Sequence, residues 1–312
     1  MRISHELPGS AEPCVLALGN FDGIHLGHRQ LLATCRAEAE RLGIQAAVLV
    51  FDPHPLKILL PERKIKLLTT IEERLKVFSA MGIDRVYLLP FTRQFAEISP
   101  AGFASDIIRG RLQAAQVVVG FNYTFGAAGK GQPHDLARFG QEYGFGVRIV
   151  PAQIIEGRVV SSTGIRKALL SGDVAWAKKL LGRAPCLCGV VVEGERRGRT
   201  IGYPTANLQP PADLLIPKRG VYAVWAELDG KRLHGMMNIG MKPTFHEAYR
   251  QTIEIHFLSF QGDLYGRELT VHLEERLRDE RKFGSLGELT EQLARDAEQA
   301  SRILQALPPT DE

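Results

Sequence analysis

The chain has 312 residues, of which 45% are hydrophobic and 24% charged, with a formal net charge of +4. This composition excludes a disordered or fibrous protein and is comfortable for two domains; the charge suits anionic small ligands but is too weak to argue for nucleic acid. Cys14, Cys35, Cys186 and Cys188 form no CxxC pair, Met1–Pro13 lacks an apolar signal region, and no stretch reaches a membrane span of roughly 18 apolar residues, so a reducing, cytoplasmic setting is expected.

The first half alternates apolar runs with helical patterns. Cys14–Leu18 reads as a strand ending at the Gly19–Gly23 turn, and a helix with apolar Leu31, Leu32 and Leu42 follows and stops at Gly43. Next come a strand at Ala46–Phe51, a helix at Thr70–Met81 and a strand at Arg85–Leu89. A helix at Pro100–Leu112, a strand at Gln116–Gly120, a helix around His134–Tyr143 and a strand at Val147–Val150 complete the series. Apolar strands separated by helices predict an α/β, doubly wound parallel sheet, with ligands at the C-terminal ends of the strands. After Leu181 the pattern changes, and Gly182–Pro185 reads as a linker. Strand signals then dominate at Leu187–Val192, Val221–Glu227, Leu233–Ile239, Ile253–Leu258 and Leu269–Leu273. They predict an antiparallel barrel, with Cys186 and Cys188 packed in its core, closed by a helix from Ser285 to about Leu304 with a Ser285/Glu288 capping box.

Four sequence features carry chemistry. His25-Leu26-Gly27-His28 stands where the first strand hands over to the first helix, whose unpaired amides attract phosphate. Gly27 keeps that wall low, and two histidines three apart can direct hydrogen bonds at one phosphoryl group. Asp22, His25 and His28 as metal ligands, or plain helix-surface histidines, are the alternatives. Ser162, Thr163 and Arg166 stand at another helix start, either meeting an anion or simply capping it. Gly189, Gly194, Gly198 and Gly202 lead into Pro204-Thr205-Ala206-Asn207, where glycines let a loop fold over phosphates and Thr205 and Asn207 offer hard oxygen ligands for Mg²⁺; a ligand-free turn is the alternative. Gly126–Gly131 has neither the spacing nor the hydroxyl residue of a Walker A loop. Glu254 shares one strand face with His256 and is either a proton acceptor or an ordinary solvent-facing glutamate.

The HxGH turn and the Ser161–Arg166 turn together resemble the nucleotidylyltransferase superfamily, which implies that the first handles an α-phosphate and the second the departing β,γ-phosphates. Longer stretches narrow the likeness. Gly19–His28, Phe51–Pro55 and Val119–Gly126 resemble the FAD synthetase half of the bacterial bifunctional riboflavin kinase/FAD synthetases. By that likeness Asn122 assists ATP positioning and Phe125 stacks on the isoalloxazine, although Phe125 also fits a loop anchor. Pro53 and Pro55 would stiffen the flavin pocket or form a plain turn. Gly164 stands where the family often has a larger residue. Pro204–Asn207, Asn238–Phe245, Ile253–Leu258, Gly262–Gly266 and Arg278–Glu280 resemble the riboflavin kinase module. There the glutamate matching Glu254 is the catalytic base, the matching Thr and Asn bind Mg²⁺-ATP, and Arg276, Arg278 and Phe283 fall in the stretch that closes over flavin.

The resemblance implies a nucleotidylyltransferase-like domain over 1–183 and a six-stranded barrel kinase over 184–312. Riboflavin, FMN and ATP would be its partners and FMN and FAD its products, with Mg²⁺ in both steps. No nucleic acid or membrane partner is expected, and a monomer or weak homo-oligomer is. A nucleotidylyltransferase for another substrate, such as a pantetheine or nicotinate nucleotide, leaves the Pro204–Asn207 half unexplained. A flavin-storage protein with decayed catalysis leaves His25, His28, Arg166 and Glu254 unexplained.

Overall fold

The computed structural model describes residues 1–194, 201–243 and 249–308; Gly198, Thr244 and Phe245 lie outside the described residues. The chain divides into two units, Met1–Ser162 and Thr163–Glu312.

In the first unit, β1 (Arg2–Ser4), β2 (Cys14–Leu18), β3 (Gln45–Phe51), β4 (Arg85–Leu89), β5 (Ala114–Gly120) and β6 (Gly146–Val150) form one sheet in the order β1-β4-β3-β2-β5-β6. Every pairing is parallel. Its helices are α1 (Leu26–Leu42), α2 (Pro55–Leu59), α3 (Ile71–Ala80), α4 (Arg93–Ala96), α5 (Pro100–Gly102) and α6 (Pro133–Tyr143), and the hairpin β7 (Ile154–Ile155) and β8 (Arg158–Val159) follows the sheet. All five residues of β2 are buried, and its side chains alternate between two cores. Leu16 and Leu18 pack with Phe103, Ile108 and Leu136, whereas Val15 and Ala17 pack with Leu32, Cys35 and Phe78. From β2 the chain moves one way to β3 and β4, then returns across to β5. The switch point therefore lies between β2 and β5, where open parallel sheets bind ligands.

Two details were not legible. The three residues of β1 are too short a signal and pair with β4 alone. The predicted helix at Pro100–Leu112 continues past α5 as a π-helix over Phe103–Arg111, in which Leu112 N–H donates five residues back to Ile107 O at 2.9 Å.

In the second unit α7 (Ser162–Ser171) and α8 (Val174–Leu181) precede the strands β9 (Cys186–Val192), β10 (Ala206–Gln209), β11 (Gly220–Leu228), β12 (Lys231–Pro243), β13 (Tyr249–Phe257) and β14 (Glu268–Arg278). These close as an antiparallel barrel in the order β10-β13-β12-β11-β14-β9. Leu187, Val224, Met237, Ile255 and Leu273 are at most 1% exposed and fill it. Cys186 and Cys188 alternate with Leu187 as expected but occupy the half-buried face of β9 opposite to it, a correction to their core placement.

The last helix, α9 (Leu286–Gln305), lays Ala300 and Leu304 against Val221, Ala223 and Met236 on the barrel's outside. Ser285 caps it, accepting from Glu288 N–H at 3.2 Å, but Glu288 reaches back to Gly284 N–H at 2.9 Å and not to the cap's own amide. The unit boundary falls just after Ser162, the first residue of α7, earlier than the alternation of strands and helices places it. Sequence periodicity marks a helix's apolar face but not the surface that face meets. Here Lys218 N–H donates to Leu169 O at 2.9 Å, and Lys178 pairs with Glu274 of β14.

Candidate active sites

In the first unit the turn between β2 and α1 stands at the sheet's switch point. His25 caps α1: its Nδ1 accepts from His28 N–H at 3.3 Å, which leaves Nε2 to carry the proton in the neutral ring. The two imidazoles stack, with centroids 3.7 Å apart and planes 13° from parallel. A side chain on Gly27 would come within 3.2 Å of the His25 ring, so glycine here makes room for the histidine as well as for an incoming oxygen. His28 Nδ1 is buried without a hydrogen-bond partner. An orphaned acceptor costs less than an orphaned donor, which favours the His28 proton on Nε2 as well. Burial pushes the His28 imidazole well below its ordinary value, and His25 and the Arg74 guanidinium act in the same direction. A stacked pair with a neutral His28 and an Nε2–H donor on each ring suits a phosphoryl group. As for the metal alternative, Asp22 Oδ1 already accepts from the amides of Leu68 at 2.9 Å and Thr69 at 3.2 Å.

Ser162 Oγ donates to Asp22 O at 2.8 Å, which joins the serine heading α7 to this same turn. Thr163, exposed, and Arg166, half-buried, lie in the first turn of α7. Asn122 is exposed in the turn after β5. Phe125 is only 5% exposed. Its ring lies 5.8 Å from that of Phe103 and stacks on Tyr123 at 5.9 Å, and its backbone bridges to Gly131. Pro53 and Pro55 are half-buried just beyond β3, flanking His54, which caps α2. Sequence reasoning passed over Thr69 and Arg74, which are 3% and 1% exposed and bond to the Asn20–Gly23 stretch.

The second unit assembles its polar residues through strand register. Asn207 on β10 pairs directly with Glu254 on β13, and Glu254 pairs on its other side with Asn238 on β12. Register partners point to one face, so Asn207, Glu254 and Asn238 form a row on the barrel's outside. Ile253, Ile255 and Phe257 point inward, at most 5% exposed. His256, two residues along the same face, bonds through Nδ1 to Pro204 O at 2.8 Å and packs edge-on against Tyr203. This fixes the chain entering Thr205, which is half-buried. A side chain on Gly194 would collide with the Asn207 amide, so glycine at this position leaves that side chain its room. Gly202 holds φ +83°, open to glycine alone without strain. Gly189 departs from its expectation as a loop glycine. It lies within β9, where a side chain would strike Gln209 O at 2.6 Å, so it serves close strand approach.

At the end of β14, Arg278 donates to both oxygens of the buried Asp296 on α9 at 2.7–3.0 Å. The rings and cations of this segment also hold one another, with Arg278 and Arg281 lying 5.7 and 4.6 Å from the Phe283 centroid. Arg276 bonds to Arg219 O and Asp279, both at 2.6 Å.

Comparison with known proteins divides the chain in a similar way. A family model described as FAD synthetase matches residues 7–164, and one described as riboflavin kinase matches 181–304. A bifunctional riboflavin kinase/FMN adenylyltransferase of Listeria monocytogenes is 40% identical, covering 90% of each chain. One of Bacillus subtilis is 38% identical over 94% of this chain and 93% of its own. A solved Streptococcus pneumoniae structure described as a macrolide-efflux protein superposes with TM-score 0.88 and 34% identity, covering 96% of this chain and 99% of the other.

Proposed function

The chain belongs to the bifunctional riboflavin kinase/FMN adenylyltransferase family and makes FMN from riboflavin and FAD from FMN, each with ATP, and we propose that the two reactions are divided between the two polar sites described above. The observation that carries this division is the direct register pairing of Asn207 with Glu254, which gives the barrel an oxygen-rich row of its own.

In the kinase reaction Glu254 takes the proton of riboflavin's 5′-hydroxyl as that oxygen attacks the γ-phosphorus of ATP, and ADP leaves. Thr205 and Asn207 would hold Mg²⁺. The Thr205 hydroxyl and the Asn207 amide oxygen are hard donors suited to that ion, and the missing side chain at Gly194 leaves Asn207 its place. When bound, that ion neutralises phosphate charge. Gly198 and Gly202 belong to the stretch that would cover the phosphates, and Arg278 and Phe283 border the flavin.

In the second reaction a phosphate oxygen of FMN attacks the α-phosphorus of another ATP, and pyrophosphate leaves. His25 and His28 donate from Nε2 to the α-phosphate, together with the amides at the start of α1. Asn122 orients ATP, and Ser162, Thr163 and Arg166 bind the departing phosphates. Pro53, Pro55 and Phe125 border the flavin; a flavin stacked on Phe125 requires its ring to become more exposed than it is here. The functional boundary lies near 183/184, and the setting is a reducing, cytoplasmic one in which the buried thiols of Cys14 and Cys35 stay reduced.

Paired substitutions test the division. His28→Ala is expected to lower FAD formation from FMN on the order of 10²–10³-fold and leave FMN formation near wild type. Glu254→Gln is expected to do the reverse. Equal loss of both activities in either folded variant would overturn the assignment.

A further inference from the structure

The turn that carries His25 and His28 is strained. Phe21 (φ 52°), Gly23 (φ 83°) and Ile24 (φ 36°) are all left-handed, and two of the three are not glycine. A β-branched residue at positive φ is a genuine outlier, and such conformations persist only where their surroundings over-determine them. Part of the restraint is apolar: Phe21 and Ile24 are fully buried, and Phe21 meets Phe78 of α3 edge-on at 5.4 Å. Polar restraint is added by two residues at the start of α3, beside the bonds of Leu68 and Ser162 to Asp22. Thr69 Oγ1 accepts from Gly23 N–H at 2.9 Å and lies 3.4 Å from Asp22 Oδ1. Arg74 Nη1 donates to Asn20 O at 3.0 Å, and its Nε donates to Thr70 O at 3.3 Å. A guanidinium only 1% exposed is costly to bury, and here it spans from the turn to the helix that supports it.

We infer that Thr69 and Arg74 are positioning residues for FMN adenylylation, holding the strained Asn20–Ile24 turn so that the His25–His28 stack meets the α-phosphate in register. This rests on the assignment of that turn to the adenylylation site. Positioning matters most in phosphoryl-group chemistry of this kind, where misplacement of about 1 Å can cost 10²-fold in rate. The cation of Arg74 also helps keep His28 neutral, as a donor from one nitrogen only.

The test uses the full chain with Thr69→Val, Thr69→Ser, Arg74→Met and Arg74→Lys, assayed with FMN and ATP, with riboflavin phosphorylation and thermal unfolding as controls. Thr69→Val and Arg74→Met are expected to lower kcat for FAD formation by about 10²-fold, with KM for both substrates within a few-fold. Thr69→Ser is expected to recover most of the rate and Arg74→Lys part of it. FMN formation should be unaltered. If Arg74→Met does not fold, the milder Thr69 pair decides. Wild-type kcat in Thr69→Val, or a loss that appears only as raised KM and lowered melting temperature, overturns the inference. His28→Ala run in parallel separates the failures. If it retains FAD synthesis, the turn itself is misassigned; if it loses it while Thr69→Val and Arg74→Met stay active, only the positioning role falls.

Discussion

At the scale of single residues, burial sets the protonation of the histidines that matter. His28 is one case, and His272 is another whose consequence can be measured. It stacks on Trp225 with centroids 3.9 Å apart, and Arg232 lies over the same indole at 4.6 Å. Burial lowers its pKa to about 4, with Arg183 and Arg232 adding to the effect and Glu274 opposing it. Between the ordinary value of about 6.5 and about 4, the unfolded chain takes up a proton that the folded chain refuses. Stability from this group is therefore whole above pH 6.5 and lost as pH falls towards 4, on the order of 2–3 kcal/mol at most. His272→Phe keeps the stack and removes the titration, so its melting temperature is expected to fall less than wild type between pH 7 and 4.5. Both tryptophans, Trp176 and Trp225, lie in the second unit, so indole fluorescence follows its unfolding. Equal slopes for the two proteins would show that His272 titrates freely. None of this was legible in the sequence, because the stack joins strands β11 and β14. By contrast, the His25/His28 pair was visible as local spacing, and only its tautomers and stacking needed the structure. Thr70 caps its own helix, whereas Thr69 serves a turn 46 residues upstream, and no local pattern announces that.

At the scale of elements, the proposed kinase site is a product of strand register. Ile253–Phe257 alternates so strictly that the outward face of Glu254 was readable before any coordinates. Its partner strand was not. Ala206–Gln209 is four residues long, follows a proline and contains Asn, a poor strand former, so pairing with β9 and β13 overrides its local preference. The glycines upstream divide once the strands are in place: Gly189 belongs to strand packing, and Gly194 lies against Asn207 of the proposed site. Adding one methyl separates them experimentally. Gly194→Ala puts a carbon against the Asn207 amide and is expected to cut FMN formation at least 10-fold while FAD formation from supplied FMN continues, with little change in the barrel's melting temperature. Gly189→Ala is expected to lower the melting temperature, because its new carbon would meet backbone that cannot yield. If Gly194→Ala has full kinase activity, Asn207 does not need its present place.

At the scale of the whole molecule, the sequence supports a cut near Pro185, where the linker ends, whereas contacts assign nearly all of α7 and the whole of α8 to the second unit. The choice has an energetic consequence. Val174, Ala177, Leu180 and Leu181 are at most 4% exposed on α8, which packs on β14. Lys178 and the Trp225 indole N–H share the carboxylate of Glu274, the latter at 2.8 Å. Removing both helices would uncover these strands and leave Lys218 N–H without its bond to Leu169 O. Burial of a large aliphatic side chain contributes about 1.5–3 kcal/mol, so losing the two leucines and the valine costs several kcal/mol of a stability that is typically only 5–15. A fragment from Ser161 to Glu312 is therefore expected to fold alone and phosphorylate riboflavin. A fragment from Pro185 retains Thr205, Asn207 and Glu254, and its barrel and α9 fall within the usual size of an autonomous domain. It should consequently form the barrel but melt well below the longer piece, with kinase activity lost on warming before that of its counterpart. Circular dichroism melts of both fragments, with FMN formation assayed over the same temperatures, decide the matter. Equal melting would mean that α7 and α8 contribute nothing to the barrel. A longer fragment that folds and binds ATP yet makes no FMN would mean that the kinase site needs residues before Ser161, and the division of the two reactions would have to be redrawn.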